Sequence, residues 1–166
     1  MSALAAVAAA VTLALVGGMA GLFFAFSTSV MPGLDGIKAD QAIRAMQSIN
    51  RKILNPMFLT GFVGAPVAAL ASGVFLLLDE QASAAIIFFL AAAAYVLGAF
   101  LPTAVINVPM NNALDAASVP ADVSEADRLW AGYSPRWTRW NHLRTVSCSV
   151  SLLLVGLALF AWGREW

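Results

Sequence analysis

"QASAAIIFFLAAAAYVLGAFLPTAVINVPMNNAL", residues 81–114, contains no Asp, Glu, Lys or Arg. An uncharged run of this length exceeds the roughly 18 apolar residues that mark a membrane-spanning helix, so its expected solvent is lipid. Working outward, three further windows, 1–34, 53–78 and 145–163, are equally free of charge. The chain is 61% hydrophobic and 11% charged with mean hydropathy +0.83, far from the composition of a water-facing domain. The expected fold class is all-α: a polytopic membrane protein, a four-helix transmembrane bundle forming one domain over residues 1–166. Spans are expected at about 4–30, 54–78, 83–108 and 141–163, with loops at 31–53 and 115–140.

The first window has no basic residue ahead of its apolar run and continues for about twice a normal signal-peptide core, which favours a retained span over a cleaved leader. Lys38, Arg44, Arg51 and Lys52 lie in the first loop; Arg128, Arg136, Arg139 and Arg144 lie in or next to the third. The opposite side has only Arg164 and the Asp79–Glu80 turn, so the positive-inside rule places the basic loops in the cytoplasm and both termini outside. A bacterial inner or plasma membrane is the expected location. Trp140 and Trp162 bracket the last span by about 33 Å at 1.5 Å per residue, close to the hydrocarbon thickness of about 30 Å. Cys148 is the single cysteine, which excludes an intrachain disulfide, and the dispersed Lys and Arg exclude a nucleic-acid surface.

"DQAIRAMQSINRKIL" begins the second helix ahead of its membrane span, with Ile43, Met46, Ile49, Asn50 and Ile53 along one face and Asp40 placed to cap it. Pro56 and Pro66 then interrupt the backbone ladder, which lipid tolerates only where neighbouring groups satisfy the freed carbonyls. The third helix is expected to bend or end near Pro102 and Pro109. Gly17 and Gly21, and the ridge Gly61, Ala65, Ala69 and Gly73, allow close helix approach, either within the bundle or in a homo-oligomer. Residues 115–136 are small, polar and proline-containing, a loop that could cover the bundle end, with one or two helical turns at "SEADRLW".

Polar residues from all four spans reach one level. Asn107 and Asn111 are i and i+4, with Asn112 turned about 100° away; Trp137, Trp140, Asn141 and Arg144 follow one helical stripe. Asn50, Arg51 and Asn55 mark the matching end of the second span, and Ser27, Thr28 and Ser29 that of the first. An amide in hydrocarbon without partners costs roughly 2–7 kcal/mol, so these groups either knit kinked helix ends together or line a cavity. Arg144 either snorkels to headgroups or turns inward to hold an anionic oxygen such as an enolate. His142, the single histidine, is either a general base or an interfacial side chain. Trp137 and Trp140 are either an aromatic wall for a flat substrate or part of the interfacial belt. One histidine, one cysteine and no carboxylate within the spans give no metal ligand set; a haem on one axial ligand stays open, and the cofactor is unknown.

"NVPMNNAL" at 107–114 followed by "RWTRWNHLRT" at 136–145 resembles the anthrone oxygenase-like family of small four-helix membrane proteins, much of it of unknown function. The layout matches over nearly the whole chain, and the specific part is confined to those two stretches. The resemblance implies oxidation of anthrones to anthraquinones without a recognised cofactor. It implicates Asn107, Asn111, Trp140, Asn141 and Arg144, with His142 less firmly, as site residues, all but Trp140 in catalytic roles. The expected partners are membrane lipid and a small flat lipophilic substrate, anthrone- or quinol-like, bound against Trp137, Trp140, Asn50 and Asn55. Two other classes compete with an oxygenase. A non-catalytic lipid- or quinone-binding or accessory protein suits the missing strong base; a transporter or channel subunit suits the chain less well, since no ionisable residue lies deep in a span.

Overall fold

The computed structural model describes residues 3–164, and those residues form no strand. Five helices follow in order: α1 Ala3–Asp35, α2 Ala39–Ile53, α3 Pro56–Leu78, α4 Ala82–Ala116 and α5 Val123–Arg164. All but α2 are long and apolar enough to cross a membrane, making the chain an all-helical integral membrane protein built as a four-helix bundle. In the bundle α1 and α4 each pack against both α3 and α5. Leu78, Leu97, Val105, Leu153 and Phe160 stand mostly exposed on the outside, as side chains solvated by lipid do.

Three of the five are longer than a crossing requires. At 1.5 Å per residue the 23 residues of α3 span about 35 Å, while the 42 of α5 span about 63 Å. The surplus of α1, α4 and α5 joins α2 in a helical cap at the basic end, around Met31, Ile43, Met46, Leu114, Trp130 and Trp137. Here the structure corrects the loops expected at 31–53 and 115–140. Helix α1 continues through Pro32 to Asp35 and α5 begins at Val123, while α2 at 39–53 is the helix expected ahead of the second span, set off from α3 by an interruption at Leu54 and Asn55. The polar composition of 115–140 conceals the stripe Ala126, Trp130, Tyr133 and Trp137, and burying that stripe outweighs weak local propensity. Asp122, not a hydrophobic residue, starts α5: its carboxylate accepts from the Ser124 hydroxyl (2.6 Å) and the Glu125 amide (3.0 Å), which hold it below the usual carboxylate range.

The prolines are handled in three ways. Pro66 removes the amide that would serve the Phe62 carbonyl, and the Tyr95 hydroxyl of α4 donates to that carbonyl instead at 3.1 Å. Pro135 and Ala131, the residue whose carbonyl it frees, are both exposed. Pro32, Pro102 and Pro109 each follow a widened π turn, at Phe26–Val30, Val96–Phe100 and Thr103–Asn107, in which the residue before the proline bonds five residues back. Each π turn contains the residue four before its proline, the one whose carbonyl the ring would strike in a regular helix. So α4 runs on through Pro102 and Pro109 to Ala116, which excludes the ending that the sequence allowed there.

Asp40 does not cap α2: Lys38 holds the capping position, and Asp40 lies in the first turn. Asn55 caps α3, its Oδ1 accepting from the Phe58 amide at 3.0 Å, with Pro56 at the favourable first position. The ridge Gly61–Gly73 packs inside the chain. Gly61 faces Met19 of α1, and Gly73 lies so close to the Phe89 ring of α4 that a Cβ would fall 2.5 Å from it.

Candidate functional site

The polar groups meet where the bundle joins the cap, and the π turns help bring them there. Ser27 lies in the turn of α1, Thr103 and Asn107 in the second turn of α4; widened turns re-aim side chains that a regular helix would carry round. From α5 come Tyr133, Trp137, Asn141 and Arg144, all buried along one stripe.

Arg144 is the centre of this arrangement and is 4% exposed. Its Nη2 donates to Asn141 Oδ1 at 2.9 Å and its Nη1 to Thr103 Oγ1 at 3.2 Å, while Nε has no partner. The guanidinium carbon lies 4.6 Å from the Phe23 ring centre and 4.9 Å from that of Trp137. Cation–π contacts of this kind are worth up to about 2 kcal/mol when desolvated. No carboxylate is among its partners; the ion pair found among the described residues joins Arg51 and Asp115 at the rim. A buried guanidinium whose protein partners are all uncharged attracts an anionic oxygen.

Asn141 fixes the guanidinium from behind. Its Nδ2 donates to the Phe23 carbonyl (2.8 Å) and to Ser27 Oγ (2.7 Å), tying α5 to α1. Ser27 Oγ in turn lies 3.0 Å from both His142 Nδ1 and Thr145 Oγ1. In front of Arg144 is a cavity of about 60 Å³ lined by aromatic and apolar side chains, among them Phe23, Phe26, Phe58, Trp137, Ile53 and Leu54. Its polar lining is Arg144, Asn141, Thr103, Asn50 and Asn111. Asn111 Oδ1 accepts from both Trp137 Nε1 (2.8 Å) and the Tyr133 hydroxyl (2.9 Å), which fixes its amide orientation because the indole only donates.

The profile of the anthrone oxygenase family matches residues 55–154. The chain belongs to the anthrone oxygenase family. No curated protein and no solved structure matches it. The matched segment contains Thr103, Asn111, Trp137, Asn141 and Arg144, whereas α1 and α2, which supply Phe23, Ser27 and Asn50, lie outside it.

Within this anthrone oxygenase family member, the residues expected from sequence divide into two groups. Asn50, Asn111, Trp137, Asn141 and Arg144 line one cavity. Four others do not line it. Asn107 is fully buried with neither amide atom partnered, Asn55 is an exposed helix cap, and Trp140 sits half-buried one position round from the stripe. His142 is exposed and reaches the site through Ser27. Sequence reasoning passed over Phe23, Thr103 and Tyr133. The signal for two of them was present: Tyr133 precedes Trp137, and Thr103 precedes Asn107, by one helical turn, so each stripe extended backwards reaches them. No group of three or more His, Cys, Asp or Glu gathers among the described residues.

Proposed function

We propose that the cavity before Arg144 binds a flat lipophilic carbon acid, anthrone-like, as its enolate and presents it to dioxygen. The observation that carries this is the buried, aromatic-sandwiched guanidinium without a carboxylate, aimed at a cavity walled by rings. An enolate oxygen supplies the missing negative charge, and a donor placed where charge develops lowers the barrier to deprotonation. Phe23, Phe26 and Trp137 give the ring system its apolar seat. The cavity lining has no carboxylate or imidazole, so the carbon's proton leaves to water at the mouth once Arg144 has acidified it.

The overall step balances with dioxygen as sole oxidant. The ring CH2 becomes C=O, losing four electrons; one oxygen atom enters the new carbonyl and the other leaves as water with both hydrogens. Addition of oxygen to the enolate carbon gives a hydroperoxide, and loss of the remaining C–H with cleavage of O–O completes it. The test is anthrone turnover by the detergent-purified protein in ¹⁸O₂, followed by mass analysis of the anthraquinone. One labelled oxygen per product is expected, and Arg144→Gln should lower the rate about 100-fold, the usual scale for losing an oxyanion donor. Arg144→Lys, which keeps the charge but not the planar stacked fork, should fall at least about tenfold, and His142→Ala less than either. Turnover at the wild-type rate in Arg144→Gln would remove the assignment.

A non-catalytic quinone- or lipid-binding role is favoured by the same absence of a base. It predicts binding of anthraquinone with no acceleration of anthrone oxidation over buffer.

A further inference from the structure

We infer that the site has two chambers and that its substrate is amphiphilic: a flat ring in the inner chamber, bearing a polar, uncharged substituent that extends past Asn50 into the outer one. The inference rests on the proposed function, which supplies the ring and the inner chamber. Beside the inner cavity lies a second one of about 120 Å³, between the end of α2 and α4. Asn50, Ile53, Leu54, Val108 and Asn111 line both, so the two chambers adjoin along that row. The inner chamber alone is far smaller than the roughly 300–1,000 Å³ usual for ligand pockets. A ring system seated there must therefore spread the shared row, where the helical ladder is already interrupted at Leu54.

The chemistry of the junction selects the substituent. Asn50 is 8% exposed, lies near the Tyr133 hydroxyl, and its Nδ2 has no acceptor in bonding geometry. Asn111 has spent both lone pairs of Oδ1 on Trp137 and Tyr133, so its amide can offer a ligand only N–H. The junction thus presents donors and calls for an acceptor oxygen. Farther out the wall is Arg51, Asn112 and Asp115, and the Arg51–Asp115 ion pair leaves no net charge there. A carboxylate would have to displace Asp115 and an amine would have to displace Arg51, whereas a hydroxyl needs neither exchange.

The test uses stable ring compounds and tryptophan quenching of the full chain in detergent: anthraquinone, 2-methylanthraquinone and 2-(hydroxymethyl)anthraquinone. Wild type should bind the hydroxymethyl compound up to about tenfold more tightly than the methyl one, the range of one hydrogen bond. Asn50→Leu should abolish that preference, bringing the methyl and hydroxymethyl compounds to equal affinity. Asn112→Trp, a change at an exposed position that fills the outer chamber, should weaken both substituted compounds about tenfold or more and spare anthraquinone. Equal binding of the methyl and hydroxymethyl compounds by wild type, or unchanged binding of all three by Asn112→Trp, overturns the outer chamber alone. Failure of wild type to bind any of the three overturns the proposed function and this inference with it.

Discussion

Asn107 and Asn141 are both asparagines, both fully buried, and both within the polar layer, yet they have opposite surroundings. Every polar atom of the Asn141 side chain is engaged, by Phe23, Ser27 and Arg144. Neither atom of the Asn107 amide finds a partner. A buried unsatisfied polar group costs about 1–3 kcal/mol, and an apolar residue of the same shape avoids the cost. Asn107→Leu is therefore expected to raise thermal stability in detergent while leaving anthrone turnover near wild type, because Asn107 does not line the cavity. Asn141→Leu should lower both, since it strands Arg144 Nη2 and unties α5 from α1. A fall in melting temperature for Asn107→Leu would mean that the amide holds a group, such as an ordered water, that stabilises the fold.

At the scale of the helix, the prolines make the bundle's irregularities predictable. Tyr95 replaces the hydrogen bond that Pro66 removes, so the two residues are energetically coupled through the Phe62 carbonyl. Tyr95→Phe should cost about 1 kcal/mol in the native background, and clearly less when Pro66 is alanine and the helix again serves that carbonyl. A double-mutant cycle by thermal unfolding reads the coupling; purely additive effects would refute it. The sequence announced this need, since uncharged spans with internal prolines must find partners for their carbonyls, but it did not name Tyr95. Spans and bundle were legible because hydrocarbon imposes length and hydropathy on a helix directly. The continuation of α1 and α5 was not, because Pro32 and Pro135 read locally as breaks. What overrides them is tertiary: a π turn ahead of Pro32, solvent around Ala131, and the buried face of Trp130, Tyr133 and Trp137. The site was half legible for the same reason. Arg144, Asn141 and Trp137 share a regular helical stripe, but the contributions of Phe23 and Thr103 depend on how α1 and α4 approach α5.

Over the whole molecule, the unequal helix lengths divide the protein into a membrane bundle and a cap, with the candidate site at their junction. The cap is held by contacts that cross its helices: Gln47 donates to the Leu114 and Ala117 carbonyls at the end of α4, and Trp130 Nε1 and the Ser134 hydroxyl both donate to Asp35 Oδ1. Lys38, Arg44, Lys52, Arg128, Arg136 and Arg139 are all carried by the cap or its edge, while Asp79 and Glu80 turn the chain at the far end. The positive-inside rule then makes a definite forecast: the cap lies in the cytoplasm and the Asp79–Glu80 turn outside. Cys148 is buried, so the native chain offers little background to a membrane-impermeant maleimide. Gly132→Cys adds a thiol on α5 where a Cβ meets nothing within 4 Å, and Glu80→Cys adds one at an exposed turn residue. In intact cells the reagent should label Glu80→Cys and not Gly132→Cys, with both labelled after permeabilisation. The reverse pattern would put the cap and the mouth of the cavity outside, and a substrate would then have to reach Arg144 from the outer leaflet.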